Sequence, residues 1–312
     1  MDIYQLRGCG TALVTPFAKD GSLDEAALRR HIRWQIESGI DFLVPCGTMG
    51  ENPVLSSAEH FRVVEITIEE AKGKVPVLAG AGGNYTAKVR EGIEAMEKMG
   101  ADGILSVTPY YNKPTQEGLY QHYRVLAEAT RLPILLYNVP GRTGVNLEPR
   151  TLVRLSEFPN IIGVKEASGN MAQIDEILRT LPERFRVISG DDALTLPMLS
   201  LGAVGVISVV SNVVPNEMTT LISQFFAGNH LGAQRVHRQL AALMQVLFIE
   251  ANPIPVKYAL AAMGRMELEY RLPLVPPSAE TQARVRKVLE DLGLSLTGTT
   301  AKEEAHATVR AH

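Results

Sequence analysis

Lys165 ends a run of apolar residues, IIGVKEA at 161–167, where a buried strand is expected to stop. Burying an ammonium is costly because desolvation disfavours the charged form. A lysine that is neutral near pH 7 is a nucleophile, and it forms Schiff bases with carbonyl substrates. Two ordinary explanations compete with that role: the amine reaches water at the strand end, or it pairs with Glu166. The residues around Lys165 must therefore decide between the catalytic role and these two explanations.

Three further segments carry groups suited to carbonyl chemistry. The turn at 47–50, GTMG, has two glycines and can present backbone N–H groups to a carboxylate. Tyr110 and Tyr111 follow one apolar run, and Tyr137 ends another. Arg142 lies in the glycine-flanked loop that follows, where a guanidinium can bind a carboxylate through two hydrogen bonds. Taken singly, each has a structural explanation: a tight turn, an oligomer contact, or a tyrosine packed in the core.

Together these residues suit Schiff-base chemistry on an α-keto acid. Lys165 attacks the keto carbon, and the turn that begins at Gly47 holds the carboxylate. Tyr137 can move protons during dehydration and carbon–carbon bond formation. Because tyrosine is a weak base unless hydrogen bonds tune it, Thr48 and Tyr111 are expected to complete a relay.

No metal or cofactor is required for this chemistry. The seven histidines and the acids show no His-x-His or H-E-x-x-H spacing, and two cysteines cannot build a structural zinc site.

Short apolar runs alternate with amphipathic segments of helical length. The apolar runs predict eight strands, at 10–15, 40–45, 75–80, 103–107, 134–137, 161–165, 186–189 and 204–209. The intervening segments predict helices at 24–38, 57–72, 86–99, 116–130, 148–157, 171–180 and 193–201, with the next beginning near Pro215. This alternation implies a parallel sheet, and eight units of this size match a (β/α)8 TIM barrel. A doubly wound sheet is disfavoured because no dinucleotide glycine signature follows the first strand.

The active site of such a barrel lies at the C-terminal ends of the strands. All the segments singled out above follow predicted strands, so they converge on one face. That convergence favours a catalytic role for Lys165.

The chain divides into a catalytic barrel at 1–230, a C-terminal helical subdomain at 231–294 and a tail at 295–312. From 216 to 294 the pattern is helical, interrupted by Pro253, Pro255, Pro273, Pro276 and Pro277. The tail is polar and aperiodic, which predicts disorder.

Composition excludes several functional classes. A hydrophobic fraction of 46% with 21% charged residues is ordinary for a soluble protein. The net charge of −3 provides no footprint for nucleic acid or an anionic membrane. No apolar run is long enough to span a bilayer and no signal-peptide pattern opens the chain, so a cytoplasmic protein is expected. Cys9 and Cys46, within or beside apolar runs, are expected to be free.

The chain resembles the dihydrodipicolinate synthase / N-acetylneuraminate lyase superfamily of class I aldolases, and within it the synthase branch, over about residues 6–294. The motifs that carry the likeness are GTMGE at 47–51, TPYYNKPTQEG at 108–118, YNVPGRTG at 137–144, GVKEASG at 163–169, SGDD at 189–192 and GVISV at 205–209. The first motif marks the superfamily. The second and third together are more specific to the synthase.

The resemblance implies that Lys165 forms the Schiff base with pyruvate, with no further cofactor. It implies that Tyr137, Thr48 and Tyr111 form the proton relay, with Tyr111 reaching into the site of a neighbouring subunit. The implied assembly is a homo-oligomer with a dimer core, usually a tetramer.

The resemblance also assigns binding residues. Gly47, with Thr48 and Met49, is expected to hold the pyruvate carboxylate. Arg142 is expected to bind the carboxylate of the second substrate, L-aspartate 4-semialdehyde, and Gly190 and Ile207 to add backbone contacts. The implied reaction is the condensation of these two substrates in lysine and diaminopimelate biosynthesis.

Met49 departs from the family pattern, which has a second hydroxyl residue at this position. Losing one hydrogen bond to a charged group costs about 1.5 to 3 kcal/mol, or roughly ten- to a hundredfold in affinity. Because the backbone donors survive the change, a weaker pyruvate Michaelis constant is expected rather than lost function. Met49 also leaves open a related aldolase or dehydratase that acts on a sugar-derived keto acid.

Lys88 is a second departure, because lysine-inhibited members carry an acidic residue there. His60, Asn84 and Tyr110 are retained, whereas Asn52, Pro53 and Ser57 differ from the usual residues. Like-charge repulsion between Lys88 and the effector predicts insensitivity to L-lysine.

A third hypothesis, a catalytically silent barrel, is disfavoured because the whole proton relay is present.

Overall fold

The computed structural model describes residues 3–297, in which eight parallel strands form a nearly closed barrel. The strands are β1 (Gly8–Ala12), β2 (Phe42–Val44), β3 (Leu78–Gly80), β4 (Gly103–Val107), β5 (Ile134–Asn138), β6 (Ile161–Glu166), β7 (Arg186–Ser189) and β8 (Gly205–Ser208). Their hydrogen-bonded order is β2-β1-β8-β7-β6-β5-β4-β3. The two end strands also meet, since the Leu43 N–H donates to the Pro76 carbonyl at 2.9 Å. The predicted TIM barrel is confirmed.

Helices cover the outside of the barrel and continue beyond it. Those that follow successive strands are α1 (Glu25–Glu37), α2 (Ser57–Ala71), α3 (Thr86–Met99), α4 (Gln116–Ala129), α5 (Pro140–Thr143), α6 (Pro149–Leu155), α7 (Met171–Thr180), α8 (Thr195–Leu201) and α9 (Pro215–Phe226). The C-terminal part adds α10 (His230–Val246), α11 (Ile254–Ala262) and α12 (Ala279–Asp291). Its presence confirms the predicted helical addition to the barrel.

Strand β1 lies further towards the N-terminus than the predicted strand at 10–15. It begins at Gly8, and a Cβ atom built on Gly205 of the neighbouring strand would lie 2.0 Å from the Gly8 carbonyl oxygen. Glycine allows this close approach of two backbones. A sequence pattern that treats glycine as a strand breaker misses it.

The short helix α5 was not predicted from the sequence. Pro140 opens it and Gly144 ends it in the left-handed conformation, with φ of 69°. Proline at the first helical position and glycine just past the end are the usual punctuation of a helix. Four residues carry no amphipathic period, so the segment resembled a loop.

The predicted helical pattern from 216 to 294 is interrupted between α11 and α12, where breaks at Pro273, Pro276 and Pro277 were expected. The interruption is longer than those prolines indicate, since residues 263–278 contain no helix. Arg271 fixes this segment to the barrel by donating to the Val54 carbonyl at 2.9 Å and to the Glu59 carboxylate. Hydrogen bonds from that guanidinium lower the pKa of Glu59 to about 2.

The predicted tail at 295–312 lies outside the described residues from 298 onward. Before that point, the Thr297 N–H donates to the Ala262 carbonyl at 2.7 Å. Cys9 and Cys46 are buried and free, as expected. From residue 3 to residue 297, no helix is both long and apolar enough to cross a membrane.

Parallel register sets which side chains can meet inside the barrel. Val107 pairs with Tyr137, Tyr137 with Lys165, and Lys165 with Ile188. Residues at one level of neighbouring strands project to the same face of a sheet. Tyr137 and Lys165 therefore point the same way from adjacent strands.

Candidate active site

Lys165 is buried at the end of β6, with 5% of its surface exposed. Its Nζ lies 4.2 Å from the centre of the Tyr137 ring. No residue within the described part of the chain accepts a hydrogen bond from this amine or forms an ion pair with it. So little exposure argues against a lysine that reaches bulk water, which was one of the two ordinary explanations.

Glu166 does not pair with Lys165, which removes the other ordinary explanation. Its carboxylate accepts hydrogen bonds from Asn138 Nδ2 at 3.0 Å and from the Ser168 N–H at 2.7 Å. Consecutive residues of a strand point to opposite faces, so Glu166 faces away from the barrel axis. Burial raises the pKa of this carboxyl group, and the hydrogen bonds partly oppose that rise.

The Lys165 side chain borders a cavity of about 130 Å³, here called the inner cavity. Its wall includes six other predicted site residues: Gly47, Thr48, Met49, Tyr137, Arg142 and Gly190. With Lys165, these residues lie in or just after four different strands, β2, β5, β6 and β7. Barrel geometry thus brings together groups that are far apart in the chain.

A second cavity, here called the outer cavity, has a volume of about 320 Å³. Thr48, Tyr137 and Arg142 line both cavities. No hydrogen bond joins the Thr48 hydroxyl to the Tyr137 hydroxyl among residues 3–297. The two groups therefore line the same cavities without a direct hydrogen bond between them.

The turn at 47–51 presents unpaired backbone donors. The N–H groups of Gly47, Thr48 and Met49 donate to no described residue, whereas the Gly50 N–H donates to the Gly47 carbonyl at 3.1 Å. Successive free N–H groups form an anion-binding site. Met49 is buried, with 2% exposure, so its thioether adds an apolar surface to the inner cavity and no hydroxyl donor.

This turn is held in an uncommon backbone conformation. Cys46, just before the turn, and Glu51, its last residue, have φ of 56° and 52°, a region that residues with side chains seldom occupy. The Thr15 hydroxyl donates to the Gly50 carbonyl at 2.8 Å. Gly80 on the neighbouring strand leaves room for the turn, because a Cβ there would lie 2.3 Å from the Cys46 carbonyl oxygen.

Arg142 lies on α5, at the mouth of the site. Its Nη2 donates to the backbone carbonyl of Asn252 at 3.2 Å. Asn252 belongs to the C-terminal part of the chain and lines both cavities. The helical addition therefore supplies part of the active-site wall, which the sequence did not predict.

A second buried lysine also escaped the sequence reasoning. Lys257 on α11 is fully buried, and its Nζ donates to Glu51 Oε1 at 2.6 Å. Burial lowers the pKa of Lys257, while the Glu51 carboxylate opposes that shift. The available signal was a lone charge in the apolar segment IPVKYALAA at 254–262.

Two predicted site residues lie away from both cavities. Tyr111 is 88% exposed, in the left-handed region with φ of 73°. Ile207 is buried in β8, in register with Gly10, and Val209 borders the inner cavity instead. The assigned roles of Tyr111 and Ile207 stay predictions.

A third cavity, of about 520 Å³, lies beside α3. Lys88, His60, Asn84 and Tyr110 all line it, and so does Glu91. Burial lowers the pKa of His60, whose Nε2 lies 2.9 Å from the Gly80 carbonyl oxygen. Side chains of opposite charge, Lys88 and Glu91, therefore line this cavity.

The described residues contain no group of three or more His, Cys, Asp or Glu side chains arranged to hold a metal ion.

Comparison with known proteins finds one family. The model of the dihydrodipicolinate synthetase family matches residues 5–292. A protein of Koribacter versatilis named 4-hydroxy-tetrahydrodipicolinate synthase is 51% identical over 299 residues, covering 96% of this chain and 100% of that protein.

Two solved structures are also similar. One is the chloride-inhibited dihydrodipicolinate synthase of Acinetobacter baumannii complexed with pyruvate, with a TM-score of 0.91, 43% identity and coverage of 93% of this chain and 99% of that one. The other is the enzyme of Cyanidioschyzon merolae with lysine bound, with a TM-score of 0.91, 40% identity and the same coverage.

Replacing Gly190 tests whether the Lys165 side chain needs its present space. A Cβ on Gly190 would lie 3.0 Å from Lys165 Cε and 2.7 Å from the Ala167 Cβ. Gly190→Ala is expected to displace the amine and slow borohydride-trapped adduct formation with pyruvate about tenfold or more. Intact-protein mass measured over time gives the rate. Gly92→Ala is the matched control, since a Cβ there meets no atom within 4 Å; an unchanged rate in Gly190→Ala would contradict the expectation.

Proposed function

Because the chain belongs to the dihydrodipicolinate synthetase family and is a lyase-type enzyme, we propose that it condenses pyruvate with L-aspartate 4-semialdehyde. The product would be 4-hydroxy-tetrahydrodipicolinate, in lysine and diaminopimelate biosynthesis. The observation that carries the proposal is the buried Lys165 amine, which borders a cavity and has no described counter-ion.

The Lys165 amine attacks the keto carbon of pyruvate, and the resulting carbinolamine loses water to give a protonated imine. The free N–H groups of Gly47, Thr48 and Met49 hold the pyruvate carboxylate, which supports this orientation. Loss of a methyl proton converts the imine into an enamine. That carbon is the nucleophile for the second substrate.

Tyr137 is the proton carrier for these steps. Its ring lies 4.2 Å from Lys165 Nζ, and its side chain lines the inner cavity with Thr48. In the proposed relay, Thr48 links Tyr137 to the hydroxyl of Tyr111 from a neighbouring subunit. The exposure of Tyr111 and its left-handed backbone support a side chain that extends towards a partner copy. The assembly is then a dimer at least, with a tetramer as the expected form.

Arg142 binds the carboxylate of aspartate semialdehyde at the mouth of the site. The enamine carbon attacks the aldehyde, forming a carbon–carbon bond and a hydroxyl group. The amino group of the second substrate then attacks the imine carbon, closes the ring and releases Lys165. Gly190 and Ile207 supply backbone contacts in this scheme.

Met49 favours one alternative, a related aldolase or dehydratase that acts on a sugar-derived keto acid. The buried thioether makes part of the inner cavity apolar. Arg142 argues for the synthase instead, because a guanidinium at the mouth suits an acceptor aldehyde that carries a carboxylate.

Reductive trapping tests the proposal. Incubation with pyruvate and borohydride is expected to add one reduced pyruvate per chain, and peptide mapping is expected to locate it on Lys165. Lys165→Ala is expected to abolish the adduct. At saturating pyruvate, Lys257→Ala, which removes the other buried lysine, is expected to keep the adduct on Lys165. Product formation with aspartate semialdehyde, compared with sugar-derived keto acids, separates the two candidate reactions. An adduct on Lys257 would contradict the mechanism.

Subunit complementation tests the role of Tyr111. Tyr111→Phe and Lys165→Ala are each expected to be nearly inactive as homo-oligomers. Subunit exchange between them would create a site with Lys165 from one chain and Tyr111 from the other, so activity is expected to return. The activity of the mixture after exchange is the measurement, and each variant taken through the same exchange procedure alone is the control, which is expected to stay inactive. Failure of exchanged hetero-oligomers to recover activity would exclude a tyrosine supplied by the neighbour.

Insensitivity to L-lysine follows from the cation at position 88. Millimolar L-lysine is expected to leave the initial rate unchanged, because Lys88 in the third cavity repels the ammonium groups of the effector. Lys88→Glu reverses this charge, and a gain of inhibition in that variant would support the explanation. Inhibition of the unmodified protein would contradict it and would make Glu91 the residue to test next.

A further inference from the structure

We propose that the buried ion pair between Lys257 and Glu51 is a positioning pair, which aims the turn at 47–51 at the carboxylate of the first substrate. The inference rests on the proposed function for the identity of that substrate, pyruvate. It concerns neither the nucleophile nor the proton relay. It gives the C-terminal helical part a role in binding at the barrel.

The pair is almost completely buried, although Glu51 also borders the outer cavity. Lys257 and Glu51 side chains are 0% and 1% exposed, and the Nζ to Oε1 distance is 2.6 Å. The Lys257 amine also lies 4.3 Å from the ring centre of Phe17 and 5.1 Å from that of Tyr270. In such surroundings each charge depends on the other, because a lone buried charge is strongly unfavourable.

Glu51 transmits this constraint to the turn. Its φ of 52° lies in the left-handed region, which a glutamate occupies only when the surrounding structure holds it there. Its N–H donates to the Thr48 carbonyl at 3.2 Å. The peptide that carries the free donors is therefore two hydrogen bonds from Lys257, and a shift of the Glu51 side chain moves it.

The anchor comes from a distant part of the chain. Lys257 and Glu51 are 206 residues apart in sequence. The other side-chain anchor of the turn within residues 3–297 is the Thr15 hydroxyl, an uncharged group on the Gly50 carbonyl. The charged anchor thus belongs to α11, the helix that follows the Asn252 carbonyl bound by Arg142.

The pair has a binding role only if the turn has one. With Met49 in place of a hydroxyl residue, the backbone N–H groups carry the charge-assisted hydrogen bonds to a carboxylate. Such bonds depend steeply on donor direction. A small rotation of the turn then weakens pyruvate binding, while the barrel and the Lys165 amine stay in place.

The experiment measures kinetics and stability in Lys257→Met, Glu51→Gln and the double variant. Lys257→Met is expected to raise the pyruvate KM about ten- to a hundredfold, with kcat and the aldehyde KM little changed. Half-maximal borohydride trapping is expected to shift to higher pyruvate by the same factor. Glu51→Gln is expected to have a smaller effect, since its amide oxygen can still accept from Lys257. Lys287→Met is the matched control, because that lysine forms an exposed pair with Asp291 on α12.

The double variant separates positioning from mere stability. It removes both buried charges, so thermal stability is expected to recover relative to Lys257→Met, while the pyruvate KM is expected to stay high. If stability and pyruvate KM both return to normal, the pair is structural only and the inference is wrong. Lys257→Met with an unchanged pyruvate KM would also overturn it. Should Lys257→Met fail to fold, the double variant carries the same comparison. An unmodified protein that forms no pyruvate adduct contradicts the proposed function instead.

Discussion

An enclosed amine without a neighbouring carboxylate is the constraint on which this site depends. Lys165 is 5% exposed and has no described acceptor, because strand alternation sends the Glu166 carboxylate to the opposite face. Lys257 is equally enclosed, but Glu51 holds its amine at 2.6 Å. The protein thus buries two lysines, and one of them, Lys257, is paired with a carboxylate. An amine outside a salt bridge can form a bond to carbon, whereas a bridged one first has to break a favourable contact.

Parallel register and barrel closure explain how the remaining groups surround that amine. Tyr137 and Lys165 are directly paired on adjacent strands, so their contact follows from the sheet itself. The turn at 47–51 approaches from the far side of the barrel, where Gly80 permits the backbones to lie close together. Arg142 is positioned by the short helix α5 and by its hydrogen bond to the Asn252 carbonyl. In the proposed mechanism, strands therefore supply the reacting groups, and loops supply the groups that select substrates.

The sequence predicted the parts of the molecule that local patterns determine. The bounds of β4, β7, α3 and α7 match the predicted ones, because apolar runs and helical periods are local. Seven predicted site residues border the inner cavity. The C-terminal ends of all barrel strands lie on one face, so a residue at a predicted strand end is already placed near that face. Contacts between distant segments were out of reach: Arg142 and Asn252 are 110 residues apart, and Lys257 and Glu51 are 206 apart. Tyr111 could not be located from one chain, since its expected surroundings belong to another.

The long-range contacts show that the C-terminal part of the chain holds groups that border the candidate site. A carboxylate bound by side-chain hydroxyls tolerates movement of the backbone, because rotamers can follow the ligand. A carboxylate bound by peptide N–H groups has no such freedom, since those donors move only with the turn. With Met49 in place of a hydroxyl residue, the proposed carboxylate site relies mainly on peptide N–H groups. The backbone conformation at 47–51 then has to be held by residues outside the turn. The fixed end is Lys257 on α11, and the neighbouring Asn252 carbonyl fixes Arg142 at the mouth. One C-terminal segment therefore contacts both of the elements that are proposed to bind carboxylates.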